Sequence, residues 1–328
     1  MRKFDAVTVT LNPSIDRMVT IRRFAKGAVN RAESVVDVPG GKGVNVAVAL
    51  AEHGLRVAAT GFRGSENTGP FEKLFARKKI ADRFVLLPGS TRVSIKIVDP
   101  VEMATTDVNF AGLGPNAREM AALWKKLAAI DASWAIVAGS APPGVGDGCY
   151  GEIIGRLKDR GTLVALDTSG EALAAAIRSR PNLVKPNLHE LSALVGRTLR
   201  TETEIVAAAR GLVERGVELV AVSMGAAGAW FVTAGQAILA RPPAIEAAGT
   251  VGAGDAMVAG MVVARLRNLS FEDSARLATA FAANAMVRNR KDMKAPAAFI
   301  RRLAPAIATT PFREAGAAPP GGTAGSGF

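Results

Sequence analysis

The sequence predicts an α/β protein built on a mainly parallel sheet with helices on both faces. Short, near-continuously apolar runs recur at 6–11, 57–61, 135–138, 163–167, 183–185 and 219–223, as expected of strands buried on both sides. Helical patterns at 44–52, 117–129, 151–158, 171–177, 202–214 and 253–266 alternate with them. That rhythm is the mark of βαβ units and a parallel sheet. A third observation refines the prediction. Residues 17–38 and 91–112 are more polar, have no helix between their strand patterns, and alternate: Val93, Ile95 and Ile97 are interleaved with Ser94, Lys96 and Val98. Such half-exposed strands predict a small sheet over the strand ends, a lid rather than a second domain; a plain surface hairpin is the alternative.

Composition narrows the function classes. The chain has 328 residues, 49% of them hydrophobic, enough for a large core and too many for wholesale disorder. Its single cysteine, Cys149, excludes an internal disulfide, and two histidines, His53 and His189, leave little room for His-built metal or triad chemistry. No apolar run reaches membrane-spanning length, and the N-terminus lacks a secretory pattern, so a soluble, cytoplasmic protein is expected. The formal charge of +12 comes from short, scattered clusters such as Arg22-Arg23 and Arg77-Lys78-Lys79. With only 5% aromatics to offer stacking platforms, the expectation is solvated surface plus a few cations facing anionic ligands, and no specific nucleic acid. One domain is expected over 1–310. Twelve of the 18 residues in 311–328 are Gly, Ala or Pro, which predicts a disordered tail.

Five segments can carry chemistry. Gly249-Thr250-Val251-Gly252-Ala253-Gly254-Asp255 opens an apolar helix, so the backbone N–H groups of Gly252, Ala253 and Gly254, at the positive end of the helix dipole, can hold a phosphate. Asp255, in the first turn, is placed to accept a proton from an attacking hydroxyl; a Gly-rich turn with an ordinary first-turn acid is the bland reading. Gly40-Gly41-Lys42-Gly43-Val44-Asn45 opens a second helix and suits a polyhydroxylated anion, or is a bare turn. Lys42 precedes Gly43 rather than Ser or Thr, so this is no P-loop, and no G-x-G-x-x-G follows the first strand. That omission argues against a dinucleotide-dependent oxidoreductase. Lys185-Pro186-Asn187 ends a strand, and Asn187 with Glu190 forms either a capping box or a carboxylate near hydrated Mg²⁺. Ser223-Met224-Gly225-Ala226-Ala227-Gly228 follows another strand, where open α/β sheets bind ligands. Asp16 lies just past the first strand, as a site residue or a turn acid.

Together these elements resemble the ribokinase-like (PfkB-type) carbohydrate kinase family, and within it the bacterial phosphofructokinases, over about residues 7–307. The resemblance implies a three-layer α/β/α core with a β-lid, a homodimer formed through that lid, ATP with Mg²⁺, and a monovalent cation as a further ligand. Residue by residue it implies Asp255 as catalytic base and Gly252, Ala253 and Gly254 as an anion hole. It implies Asp16, Gly41, Lys42 and Asn45 around the sugar, with Arg92 and Ser140 near the phosphate the sugar already carries. Lys185, Asn187, Ser223, Gly225 and Gly228 would serve the nucleotide and Glu190 the metal, with Ala282 and Ala283 beside adenine. Ala256 and Met224 depart from the branch's usual residues without removing a required group. The lid runs Thr91–Lys96 and Thr106–Phe110 are most similar to 1-phosphofructokinases, while 167–173 and 185–191 are closer to the 6-phosphofructokinase form. Asn12–Asp16 is shared with tagatose-6-phosphate kinases. Since a lid covers the sugar, the expected substrate is fructose 1-phosphate.

Overall fold

The computed structural model describes residues 2–245, 251–287 and 296–313. In chain order the elements are β1 (Phe4–Thr10), β2 (Ser14–Thr20), β3 (Ser34–Gly40), α1 (Lys42–Glu52), β4 (Val57–Gly64), α2 (Gly69–Lys78), β5 (Ala81–Asp82), β6 (Val85–Leu87), β7 (Val93–Asp99) and β8 (Ala104–Val108). There follow α3 (Ala117–Ala129), β9 (Ala132–Ala138), α4 (Cys149–Lys158), β10 (Leu163–Asp167), α5 (Gly170–Ile177), β11 (Leu183–Val184), α6 (Leu188–Leu194), α7 (Glu202–Glu214) and β12 (Leu219–Ser223). The remainder comprises β13 (Ala229–Val232), β14 (Ala237–Arg241), α8 (Ala253–Leu266), α9 (Phe271–Val287), α10 (Pro296–Leu303) and β15 (Ala308–Pro311).

The main sheet runs β15-β14-β13-β12-β11-β10-β9-β1-β4-β5, with β6 also on β4. Its centre, from β12 to β5, is parallel, while β13, β14 and β15 pair antiparallel at one edge. Because side chains alternate along a strand, each central strand feeds two cores. Ala6, Val57, Ile136, Ala165 and Ala221 face a cluster that includes α1, α2, α8, α9 and α10. Val7, Ala58, Val137, Val164 and Val222 face the opposite cluster with α3, α4, α5, α6 and α7. These are the expected three layers. Packing between α1 and α9 explains why α8 reads as apolar on every side: all its residues from Asp255 to Ala264 are buried.

The two rhythm-breaking segments fold as one four-stranded sheet, β3-β2-β7-β8. Its outer pairs are antiparallel hairpins, and they join through a parallel β2–β7 contact with Ile15 opposite Val93 and Asp16 opposite Ser94. Chain connection explains where it sits: β2 leaves the C-terminal end of β1, and β3 delivers the chain straight into α1. The lid is therefore tethered to the edge of the main sheet where its parallel strands end.

At the C-terminus the described chain runs on to residue 313. β15 runs through Pro311, and Phe312 packs edge-on against buried Trp230, ring centroids 5.7 Å apart. The aromatic ring was hidden among Gly, Ala and Pro, and its partner lies in a hairpin that short-range patterns do not link to it. Residues 314–328 of the expected tail lie outside the described residues. No described helix is long and apolar enough to cross a membrane.

Candidate active site

Strand order reverses its direction of growth at β1: β4 is added on one side and β9, β10, β11 and β12 on the other. Crevices at such reversals, beyond the carboxyl ends of the strands, are where open α/β sheets bind ligands. Asn12 leaves β1 and Ser140 leaves β9 at this point, and Asn12 Nδ2 donates to Ser140 Oγ at 3.2 Å.

Two helices open onto the crevice without a side chain capping their first amides. α1 starts after Gly41 at φ +109°, and α8 after Gly252 at φ +78°. Both φ values lie in the region glycine tolerates best, so each glycine turns the chain sharply and leaves helix N–H groups facing outward. The residues just inside them meet: Asn45 Nδ2 donates to Asp255 Oδ2 at 2.8 Å. Gly254 leaves room for a cation, since a Cβ there would lie 3.1 Å from Lys185 Nζ.

Asp255 is 7% exposed. Burial and then the nearby charge of Asp167 push its pKa up to about 6, against the Asn45 hydrogen bond and the charges of Lys42 and Lys185. A carboxyl tuned this way is charged at neutral pH yet basic enough to take a proton.

Asp167, at the end of β10, organises the cations. It is 1% exposed, and its Oδ1 lies 3.1 Å from Lys42 Nζ and 3.4 Å from Lys185 Nζ. Burial works against the charge on Lys42, but Asp167, Glu190 and Asp255 outweigh it and hold the Lys42 pKa above its usual value. Sequence reasoning did not assign Asp167 a role. The available signal was a single acid closing an otherwise apolar strand.

On the lid side, Asp16 Oδ1 accepts from Ser14 Oγ at 2.7 Å. A Cβ on Gly40 would come within 2.8 Å of Asp16 Oδ2, so this glycine is what lets the carboxylate lie against β3. Among the described residues Arg92 has no carboxylate partner. Its guanidinium donates to the carbonyls of Pro13 (3.3 Å), Asn12 (3.2 Å) and Phe110 (3.1 Å). Burial lowers its pKa, with the charge of Asp16 opposing.

The strand-end segment adopts the capping box read from it. Asn187 caps α6 through a full capping box: its Oδ1 accepts from Glu190 N–H and Glu190 Oε2 accepts from Asn187 N–H, each at 2.8 Å. Glu190 is close enough to Lys42 to support its charge, so the cap and the crevice share this carboxylate. Asn187 also bridges to Ser223, which joins the strand-end motif to the turn Gly225–Ala227. Gly228 closes that turn at φ +94°, and a Cβ there would collide with the Ala240 carbonyl. Ala282 and Ala283 are buried in α9, and His189 is exposed. Gly249 and Thr250 of the glycine-rich motif lie outside the described residues. The structure thus gathers Lys42, Asn45, Lys185, Glu190 and Asp255 around Asp167, sets Asp16 and Arg92 at the lid, and leaves Ser223, Gly225 and Gly228 further along the same edge.

Known proteins resemble this chain over most of its length. The chain is 47% identical to the 1-phosphofructokinase of Rhodobacter capsulatus over 283 residues, covering 85% of this chain and 89% of that one. It is 36% identical to the 1-phosphofructokinase of Escherichia coli, covering 85% and 90%. Phosphofructokinase-2 from E. coli in complex with fructose-6-phosphate superimposes with a TM-score of 0.85 at 28% identity, covering 92% and 99%. The same enzyme in complex with potassium gives 0.86 at 29% identity over the same shares. The sequence profile of pfkB family carbohydrate kinases matches residues 9–292, and the chain belongs to that family.

Proposed function

We propose that the protein phosphorylates fructose 1-phosphate with ATP to give fructose 1,6-bisphosphate. The observation that carries the chemistry is Asp255: a buried carboxylate at an uncapped helix N-terminus, aimed by Asn45 and flanked by Lys42 and Lys185. The substrate follows from the relatives named 1-phosphofructokinase at 47% and 36% identity, against 28% for the relative solved with fructose-6-phosphate.

Phosphoryl transfer depends on positioning and on stabilising charge. Asp255 takes the proton of the sugar's free primary hydroxyl as its oxygen attacks the γ-phosphate of ATP. The amides of Gly252, Ala253 and Gly254 face the negative charge that builds on the transferred group. Asp16 and Asn45 hold sugar hydroxyls with the backbone at Gly41, and Lys42, Arg92 and Ser140 hold the phosphate already present. Lys185, Asn187, Ser223, Gly225 and Gly228 line the way to the nucleotide. The lid excludes water that would otherwise compete as acceptor.

Among the described residues no three His, Cys, Asp or Glu side chains gather as a metal cage. One carboxylate, Glu190, beside the nucleotide's phosphates is the donor set that suits Mg²⁺. When bound, Mg²⁺ neutralises phosphate charge. The potassium-bound relative supports a monovalent cation as well. Val35, Val36, Val38 and Val108 are exposed on the lid and support a homodimer formed through it, in a cytoplasmic enzyme. Incubation with fructose 1-phosphate and Mg-ATP tests the proposal: the product should carry two phosphate monoesters by ³¹P NMR, with ADP formed in equal amount. Recovery of unchanged fructose 1-phosphate would refute it.

A further inference from the structure

Arg92 owes its place to a contact outside the segments so far considered. Asn67, in the loop between β4 and α2, makes a two-way clamp on the backbone of Thr91. Its Nδ2 donates to the Thr91 carbonyl at 2.9 Å, and its Oδ1 accepts from Thr91 N–H at 2.8 Å. Thr91 itself is 3% exposed, and its hydroxyl accepts from Gly64 N–H at 2.8 Å. Ser90 donates to Glu66 at 2.9 Å in the same turn. The loop is braced from behind, where buried Arg63 donates to the Thr68 carbonyl at 3.3 Å and pairs with Asp82 at 2.6 Å.

The next residue ties this clamp to the lid. The Arg92 carbonyl accepts from Ile15 N–H at 2.8 Å, which begins the parallel β2–β7 register and so places Asp16 relative to Arg92. A side-chain amide carries a donor and an acceptor side by side, so it can pair with the N–H and the C=O of one residue at once. Removing it leaves two buried backbone groups of Thr91 unpaired, which the chain relieves by shifting.

We infer that Asn67 is a positioning residue for sugar-phosphate recognition: it fixes Thr91, and through Thr91 sets where Arg92 and Asp16 stand, without touching the substrate. This rests on the assignment of Arg92 to the phosphate of the sugar. No part of the clamp reaches the nucleotide end of the crevice, so its loss falls on one substrate only.

The test is a double-mutant cycle with steady-state kinetics on whichever ketohexose phosphate the wild type prefers. Asn67→Ala should raise the sugar-phosphate KM about tenfold, the worth of one to two buried hydrogen bonds, with the ATP KM within about twofold. Asn67→Asp keeps the acceptor but sets a carboxylate oxygen against the Thr91 carbonyl, so it should also raise the sugar-phosphate KM and not the ATP KM; Asn67→Ser, which keeps a hydroxyl at the position, serves if Asn67→Ala does not fold. In an Arg92→Ala background the same substitutions should add clearly less than in the wild type, the remainder being the share carried through Asp16, because coupled residues are not additive. Parallel rises in both KM values, or an equal effect with and without Arg92, would overturn the inference. A wild type active only on a different ketohexose phosphate would correct the substrate and leave this inference standing. A wild type active on no sugar phosphate would overturn both.

Discussion

Asn45 Nδ2 lies 2.8 Å from Asp255 Oδ2, joining the first turns of α1 and α8 across the crevice. The bond orients the carboxylate and, by stabilising its charged form, holds its pKa lower than burial alone would set it.

Asp255→Asn keeps the shape and the contact with Asn45 but removes the proposed base. Turnover should fall about 1,000-fold or more, with nucleotide binding retained. Steady-state kcat and equilibrium titration with ATP check this; near-normal kcat would remove Asp255 from the chemistry.

The same substitution should stabilise the fold. A carboxyl whose pKa rises from 3.8 unfolded to about 6 folded costs the native state on the order of 3 kcal/mol once the pH exceeds the folded value. The variant's gain in unfolding free energy should therefore be full above pH 6 and shrink as the pH falls toward 4. Denaturant unfolding at pH 7.5 and pH 5 measures it, and a loss of stability at pH 7.5 would contradict the assigned environment.

Since the base must be charged to act, kcat should decline about tenfold per unit below pH 6. Asn45→Leu removes a contact that lowers the Asp255 pKa, so this acid limb should move to higher pH. A limb that stays in place would separate Asn45 from the base.

Arg92→Ala removes charge-assisted donors from the lid side alone. The sugar-phosphate KM should rise about 10- to 100-fold, with the ATP KM within about twofold. An unchanged sugar KM would take Arg92 out of the site.

Much of this arrangement was legible because its signals are local. Glycines before apolar helices marked both uncapped N-termini, and the polar alternation of 93–98 marked the lid. The helices Ala117–Ala129 and Glu202–Glu214 fell on their expected bounds, where Asn116 and Thr201 each head a capping box. What the sequence hid depends on distance along the chain. Asp167 gains its meaning only when Lys42 and Lys185 converge on it from other elements. Asn67 pairs with Thr91 across 24 positions, and the antiparallel edge of β13, β14 and β15 was missed because its hairpin turn gives little signal of its own. Glu190 caps α6 and still lies close enough to Lys42 to support its charge, so the capping box does not take this carboxylate away from the crevice.

The central claim is the choice of acceptor. ADP release should be measured with Mg-ATP and fructose 1-phosphate, fructose 6-phosphate or tagatose 6-phosphate in parallel. The account predicts the highest kcat/KM with fructose 1-phosphate. A higher value with either 6-phosphate would contradict it, leaving the Asp255 chemistry in place and overturning the reading of the lid.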